Sequence, residues 1–216
     1  DGDSPSSLLE SVYPRPGRTS WCAGPIFVYT SPATIESEPS SGSLMRAFNR
    51  ARLLWGYLRG HTRLNALPVE YIVETTAKCN IYCPMCPRET HPQPKADMSD
   101  EDYQSLVTQA GPTAEHMMLI GLGEPFLDPK IFDRITYCHE HGVSTLISTN
   151  GTLLDEKAAR RLLATPLEHI TLSFDGYSKN TFETYRKGAK FERVRDNFVR
   201  FCTLKRDLGS RMQIVV

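Results

Sequence analysis

From residue 68 onward, short apolar runs alternate with longer stretches in which apolar side chains recur every three or four positions, the rhythm of strands followed by helices. Residues 69–75 place Val69, Tyr71 and Val73 at every second position and predict a first strand. Ser99 then stands before Asp100, Glu101 and Asp102, a helix start, and Tyr103, Leu106, Val107 and Ala110 form the stripe of a helix ending at Gly111. A second strand is expected over 116–121. Asp128 as N-cap and Pro129 at the first helical position predict a helix carrying Ile131, Phe132, Ile135 and Cys138, closed by Gly142. The pattern repeats with a strand at 143–149, a helix at 155–164 stopped by Pro166, and a strand at 169–174. Helical spacing over 178–208, interrupted near Gly188, leads to a fifth strand from Met212. Strict alternation predicts an α/β fold with a parallel sheet, either doubly wound or curled into a barrel. In both, ligands sit at the carboxyl ends of the strands.

Upstream the pattern changes. Residues 1–43 are rich in Ser, Pro and Gly and are expected to be a poorly ordered lead-in. Residues 44–67 form a helical extension: Leu44, Phe48, Ala51, Trp55 and Leu58 make an apolar stripe, expected to dock on the core, while Arg46, Arg50, Arg52 and Arg59 belong to a solvated basic side. The core is then 68–216. The chain opens on Asp1 and stops just after an apolar run, so both ends are expected to be cut.

Composition narrows the class. Hydrophobic residues make up 40% and charged ones 23%, as in ordinary globular proteins. Lys and Arg number 25 against 25 Asp and Glu, so no overall field draws the chain to nucleic acid or anionic lipid, and neither partner is expected. There is no apolar run of membrane-spanning length and no signal-peptide core, which makes the cytoplasm the expected location. Three of the six cysteines crowd together while Cys22, Cys138 and Cys202 are scattered, a ligand pattern rather than a disulfide framework. The scattered three read as small hydrophobes. His139 and His141 in a helix tail and His169 at a strand start read as structural.

Each predicted strand ends in a distinctive group: Cys79 to Cys86, Gly121 to Pro125, Ser148 to Gly151, and Ser173 to Gly176. All four should converge on one rim. Cys79, Cys83 and Cys86 follow CxxxCxxC spacing in a loop marked by Asn80, Pro84 and Pro87, and three thiolates can wrap one soft metal centre while leaving a coordination position open. A structural zinc site would need a fourth ligand, for which His91 is near in sequence. A non-catalytic zinc or electron-transfer module is therefore the alternative to an enzyme.

The stretch from Lys78 through Cys79, Asn80, Ile81, Tyr82, Cys83, Pro84, Met85, Cys86 and Pro87 to Arg88 resembles the signature of radical S-adenosylmethionine (radical SAM) enzymes, in the subgroup that often carries a C-terminal SPASM or twitch domain. The resemblance, over about 69–216, implies a 4Fe-4S cluster on the three cysteines whose fourth iron takes the amino and carboxylate groups of S-adenosyl-L-methionine. Met85 stands where many members have an aromatic residue against the adenine. Gly121-Leu122-Gly123-Glu124-Pro125 resembles the family's Gly-Gly-Glu motif, with Leu122 in place of the first Gly, which implies that Gly123 and Glu124 hold the methionyl ammonium. Ser148 and Asn150 are similar to residues that reach the cofactor's ribose or carboxylate; Ser173, Asp175 and Arg186 resemble the next rim group, although Asp175 alone reads equally as a helix cap. The resemblance also implies a partial (β/α)6 TIM-like barrel, truncated after about the fifth strand. It further implies an electron donor such as flavodoxin or ferredoxin, and a 5′-deoxyadenosyl radical that abstracts hydrogen from a peptide or small-molecule substrate, as in peptide or cofactor maturation.

Overall fold

The computed structural model describes residues 41–90 and 95–216, with no account of the side chains of 41–43 and 89. Residues 1–40 of the expected lead-in, including Cys22, and the candidate ligand His91 lie outside the described residues, while 41–43 already belong to a helix. A long helix α1 (Ser41–Leu58) precedes four βα units and a fifth strand: β1 (Glu70–Ile72), α2 (Asp100–Ala110), β2 (His116–Leu119), α3 (Ile131–Glu140), β3 (Ser144–Thr149), α4 (Glu156–Leu163), β4 (His169–Leu172), α5 (Lys179–Tyr185), α6 (Phe191–Asp207) and β5 (Gln213–Val215). All neighbouring strands pair parallel, in the order β1-β2-β3-β4-β5. That order decides between the two architectures left open above. A doubly wound sheet reverses its strand order at a switch point, whereas this one runs in sequence order throughout, as a (β/α) barrel wall does.

Alternation along each strand sets the two faces. In register across the sheet, Met117, Leu119, Ile147, Ile170 and Leu172 are buried. They share the core with Tyr103 and Val107 of α2, Ile131, Ile135 and Cys138 of α3, Leu162 of α4 and Phe201 of α6. The intervening residues His116, Met118, Leu146, Ser148, His169 and Thr171 are only half buried and line the other face. A sheet covered on one side and half open, with mixed polar and apolar residues, on the other suits a wall around a ligand volume.

Local chemistry explains most boundaries. Ser99 caps α2, its Oγ accepting from the N–H of Asp102 at 3.0 Å, and Asp155 caps α4, its Oδ1 accepting from Ala158 N at 2.8 Å. Gly142 closes α3 at φ +69°, a left-handed position cheap only for Gly. The break near Gly188 separates α5 from α6, with Gly188 at φ +93°. Three expectations need correction. Asp128 does not cap α3: it ends the 3-10 turn Pro125–Leu127, accepts from Lys130 N at 2.9 Å and is buried against Arg134, 2.9 Å away, so the helix starts at Ile131. Asp175 does not cap α5 either; Ser178 does, its Oγ accepting from Thr181 N at 3.3 Å.

The third correction concerns α1. Its apolar stripe faces solvent: Phe48 is 61% and Trp55 57% exposed, and Leu44 and Leu58 are exposed as well. The docked side is polar and small. Asn49, 5% exposed, donates to Leu67 O at 2.8 Å and accepts from Leu67 N at 3.0 Å; Arg46 donates to Gly111 O at 3.1 Å; Arg50 pairs with Glu115. Gly56 sits so close to Leu64 that a Cβ would meet its Cδ2 at 2.1 Å. Side-chain hydrogen bonds to the backbone, an ion pair and a small residue, rather than the apolar stripe, decide which face turns inward.

Candidate functional site

The cysteine loop leaves β1 and is pinned from three directions. Ile81, buried, packs with Phe182, Ala189 and Val194 in a small second core against which Cys79 and Cys83 also rest. Tyr82 N donates to Lys187 O at 2.8 Å in an isolated antiparallel bridge, so the loop after α5 runs alongside the cysteines. Arg88 Nη2 donates back to Ile81 O at 3.2 Å, and Cys86 N to Cys83 O at 2.9 Å, which closes the turn between the second and third thiols.

The loop after β2 approaches from the side. Glu124 N donates to Lys78 O at 2.7 Å, and a Cβ on Gly123 would lie 1.9 Å from Thr76 O, so backbone meets backbone where only Gly fits. Glu124 is 2% exposed, and its carboxylate is engaged with the protein. Oε1 accepts from Thr149 Oγ1 at 2.6 Å and Oε2 from Asn150 N at 2.8 Å. Burial pushes its pKa up, against the pull of these hydrogen bonds. The carboxylate thus ties the β2 loop to the β3 loop.

Asn150 extends the same lattice. Its Nδ2 donates to Asn80 Oδ1 at 3.0 Å and lies 3.9 Å from Cys79 Sγ, while its Oδ1 accepts from Thr152 N and Oγ1 at 2.9 and 2.6 Å. Asn80 in turn donates to Thr152 Oγ1 at 2.8 Å. Ser148 and Ser173, at adjacent strand ends, have their hydroxyls 3.2 Å apart. Asp175 forms an ion pair with Arg186, whose Nη1 lies 3.6 Å from Cys83 Sγ and whose Nε is buried without a hydrogen-bond partner. Burial raises the Cys83 thiol, Arg186 pulls it down, and the neighbouring Cys79 and Cys86 push it up again.

One cleft of about 260 Å³ collects these groups. Cys79, Cys83, Met85, Cys86, Gly123, Glu124, Ser148, Asn150, Ser173, Asp175 and Arg186 all line it, at the carboxyl ends of β1 to β4. Every residue singled out for a cofactor role in the sequence is therefore brought to one place. Among the described residues, no group of three His, Cys, Asp or Glu side chains is placed to hold a single metal ion, and the three thiols line the cleft. A larger hollow of about 680 Å³ beside α4 and α6, lined by Glu156, Arg195 and Val199, holds none of these groups. Sequence reasoning missed Thr149 and Thr152, which look like ordinary strand-end residues, and Glu74, which accepts from Leu122 N at 2.5 Å. It also missed Asp97, which holds Lys78 and Thr76 at 2.7 Å each. Outside the cleft, Cys138 is buried beside Tyr103 and Met117, and His141 stacks on Tyr137, in keeping with structural roles.

Residues 73–212 match the family model of the Radical SAM superfamily. The chain is 25% identical over 114 residues, 52% of its length and 33% of the relative's, to the AdoMet-dependent heme synthase of Methanosarcina barkeri. It is 25% identical over 124 residues, 57% of its length and 34% of the relative's, to the mycofactocin maturase MftC of Mycobacterium ulcerans. It thus spans about a third of the length of these curated relatives. In fold it is similar to Streptococcus suis SuiB bound to S-adenosylmethionine, with a TM-score of 0.59 and 18% identity over 82% of this chain and 40% of SuiB. SuiB bound to precursor peptide SuiA superposes with the same TM-score.

Proposed function

The chain belongs to the radical SAM superfamily, and from that premise we propose that the rim cleft holds a 4Fe-4S cluster on Cys79, Cys83 and Cys86 with S-adenosyl-L-methionine beside it. The observation that carries this reading is the convergence of three thiols and eight further candidate residues, drawn from four successive strand ends, on one cleft. The donor set fits: three soft thiolates line one cleft and suit an iron-sulfur cluster with one iron left for a small-molecule ligand. Arg186 Nε, buried and unpartnered, is a donor in want of an anionic acceptor, which the methionyl carboxylate would supply.

When bound, the pair supplies one-electron cleavage of the sulfonium and hydrogen-atom abstraction from substrate. The protein's own part is placement. Gly123 lets the β2 loop lie against residues 76–78 and line the cleft, where its carbonyls would serve the methionyl ammonium. Glu124 holds that loop to Thr149 and Asn150. Met85, more than half exposed, would offer a polarizable thioether to the adenine, and the hydroxyls of Ser148 and Ser173, adjacent in the cleft, would serve the ribose. Asp175 and Arg186, paired with each other, line the same cleft.

For substrate, we favour a peptide or cofactor precursor: relatives named for mycofactocin maturation and a fold neighbour solved with a precursor peptide support it. A SPASM-type C-terminal region would supply further selection. A flavodoxin or ferredoxin is the proposed electron donor, and a reducing compartment, the cytoplasm, the proposed location; among the described residues no helix is long and apolar enough to cross a membrane. Anaerobic reconstitution of the full chain tests the core of this. Iron and sulfide in equal amounts, with 5′-deoxyadenosine released on adding S-adenosylmethionine and dithionite, are expected. Stoichiometric zinc with no deoxyadenosine would overturn the reading.

A further inference from the structure

We propose that Arg186, held by Asp175, poises the reduction potential of the cluster by donating a charge-assisted hydrogen bond to the sulfur of Cys83. This rests on the cluster assignment above, and it assigns to Arg186 a task separate from binding S-adenosylmethionine.

The placement does not depend on one long side chain finding a rotamer. Residue 186 ends α5, its N–H donating to Phe182 O at 2.8 Å. The next residue, Lys187, bridges Tyr82, so residues 186 and 83 flank a paired segment. Gly188 at φ +93° lets the chain leave that bridge, and the buried contact of Ile81 with Phe182 and Ala189 holds the two loops together. At the end of this frame Nη1 lies 3.6 Å from Cys83 Sγ, and Nη2 is engaged by Asp175.

The three sulfurs are treated unequally. Cys83 faces a full positive charge; Cys79 has only the neutral amide of Asn150 at 3.9 Å; among the described residues no side-chain hydrogen bond reaches Cys86. Hydrogen bonds to the sulfurs and local charge are the protein's main levers on an iron-sulfur potential. Reduction adds one electron to the cluster, makes and breaks no protein bond, and leaves one more negative charge beside Arg186. A guanidinium there stabilises the reduced state, and the Asp175 carboxylate partly cancels that effect. Opposite consequences follow for the two members of the pair.

The test is a dithionite redox titration of the reconstituted full chain followed by electron paramagnetic resonance, without S-adenosylmethionine so that its binding cannot contribute. Arg186→Met is expected to lower the equilibrium constant for reduction about tenfold, or about 59 mV for a one-electron couple. Asp175→Asn should shift it the other way, and Arg186→Lys should fall between wild type and Arg186→Met. Shifts of the same sign in Arg186→Met and Asp175→Asn, or no shift in either, would overturn the proposal while leaving the cluster assignment standing. If Arg186→Met fails to retain iron, Asp175→Asn decides alone: only an upward shift supports the proposal. A wild-type chain without an iron-sulfur signal would sink the assignment itself, and this inference with it.

Discussion

Gly123→Ala offers a sharp test of how the cleft is built. An ideal Cβ at that position lies 1.9 Å from Thr76 O and 2.9 Å from Lys78 O, both backbone atoms that cannot swing away. A carbon and a carbonyl oxygen normally sit no closer than about 3.3 Å, so the two loops must part by about 1.4 Å. That displacement takes the 2.7 Å bond from Glu124 N to Lys78 O out of hydrogen-bond range. Overpacking costs about 1–3 kcal/mol and the lost bond about 1 kcal/mol more, for a total of about 2–4 kcal/mol. The control is Gly209→Ala, at φ +64° with nothing within 4 Å of the added Cβ, where only left-handed strain of about 1–2 kcal/mol applies. Urea denaturation of both variants measures the difference, and calorimetric titration with S-adenosylmethionine should show at least a tenfold weaker affinity for Gly123→Ala. Equal destabilisation of the two, or unchanged stability of Gly123→Ala, would refute the close-approach argument.

Three further outcomes are expected. On α1, Asn49→Ala should cost about 1–3 kcal/mol because two backbone groups of Leu67 lose their partner, whereas Phe48→Ser should stay within about 0.5 kcal/mol; the reverse ranking in thermal denaturation would restore a docked apolar stripe. Alanine at Cys79, Cys83 or Cys86 should each abolish iron retention after anaerobic reconstitution, while Cys138→Ala, buried beside Tyr103, should keep full iron content. Asp97 is held below the usual carboxylate range by hydrogen bonds from Lys78 first and Thr76 second. Its stabilising contribution is therefore complete above the unfolded value of about 3.9 and is lost as pH falls through the lower folded value. Asp97→Asn should flatten that acid limb, and an unchanged limb in stability-versus-pH curves would exclude the role.

Much of the site was legible because its signals are local. Cys79, Cys83 and Cys86 lie within eight residues of one another, so ligand spacing could be counted directly. Gly123 and Glu124, Ser148 and Asn150, and Ser173 and Asp175 each follow a strand, and a parallel sheet brings all such ends to one rim whatever its curvature. What each side chain does there was less legible. Glu124 was expected to help hold the methionyl ammonium; that its oxygens also accept from Thr149 and Asn150 was not legible, because only the packing of adjacent strands brings those groups within reach.

Sequence by itself determined the alternation of strand and helix, the cap at Ser99, the helix stop at Gly142 and the loop of thiols, because each depends on residues a few positions apart. Tertiary structure alone decided the strand order, the face on which α1 docks and the meeting of Arg186 with Cys83. Amphipathicity marks an apolar stripe but not what covers it, and on α1 two hydrogen bonds to Leu67 and the missing side chain of Gly56 outweighed that stripe. Arg186 and Cys83 are separated by 103 residues. No periodicity spans that distance; a backbone bridge from Tyr82 to Lys187 does.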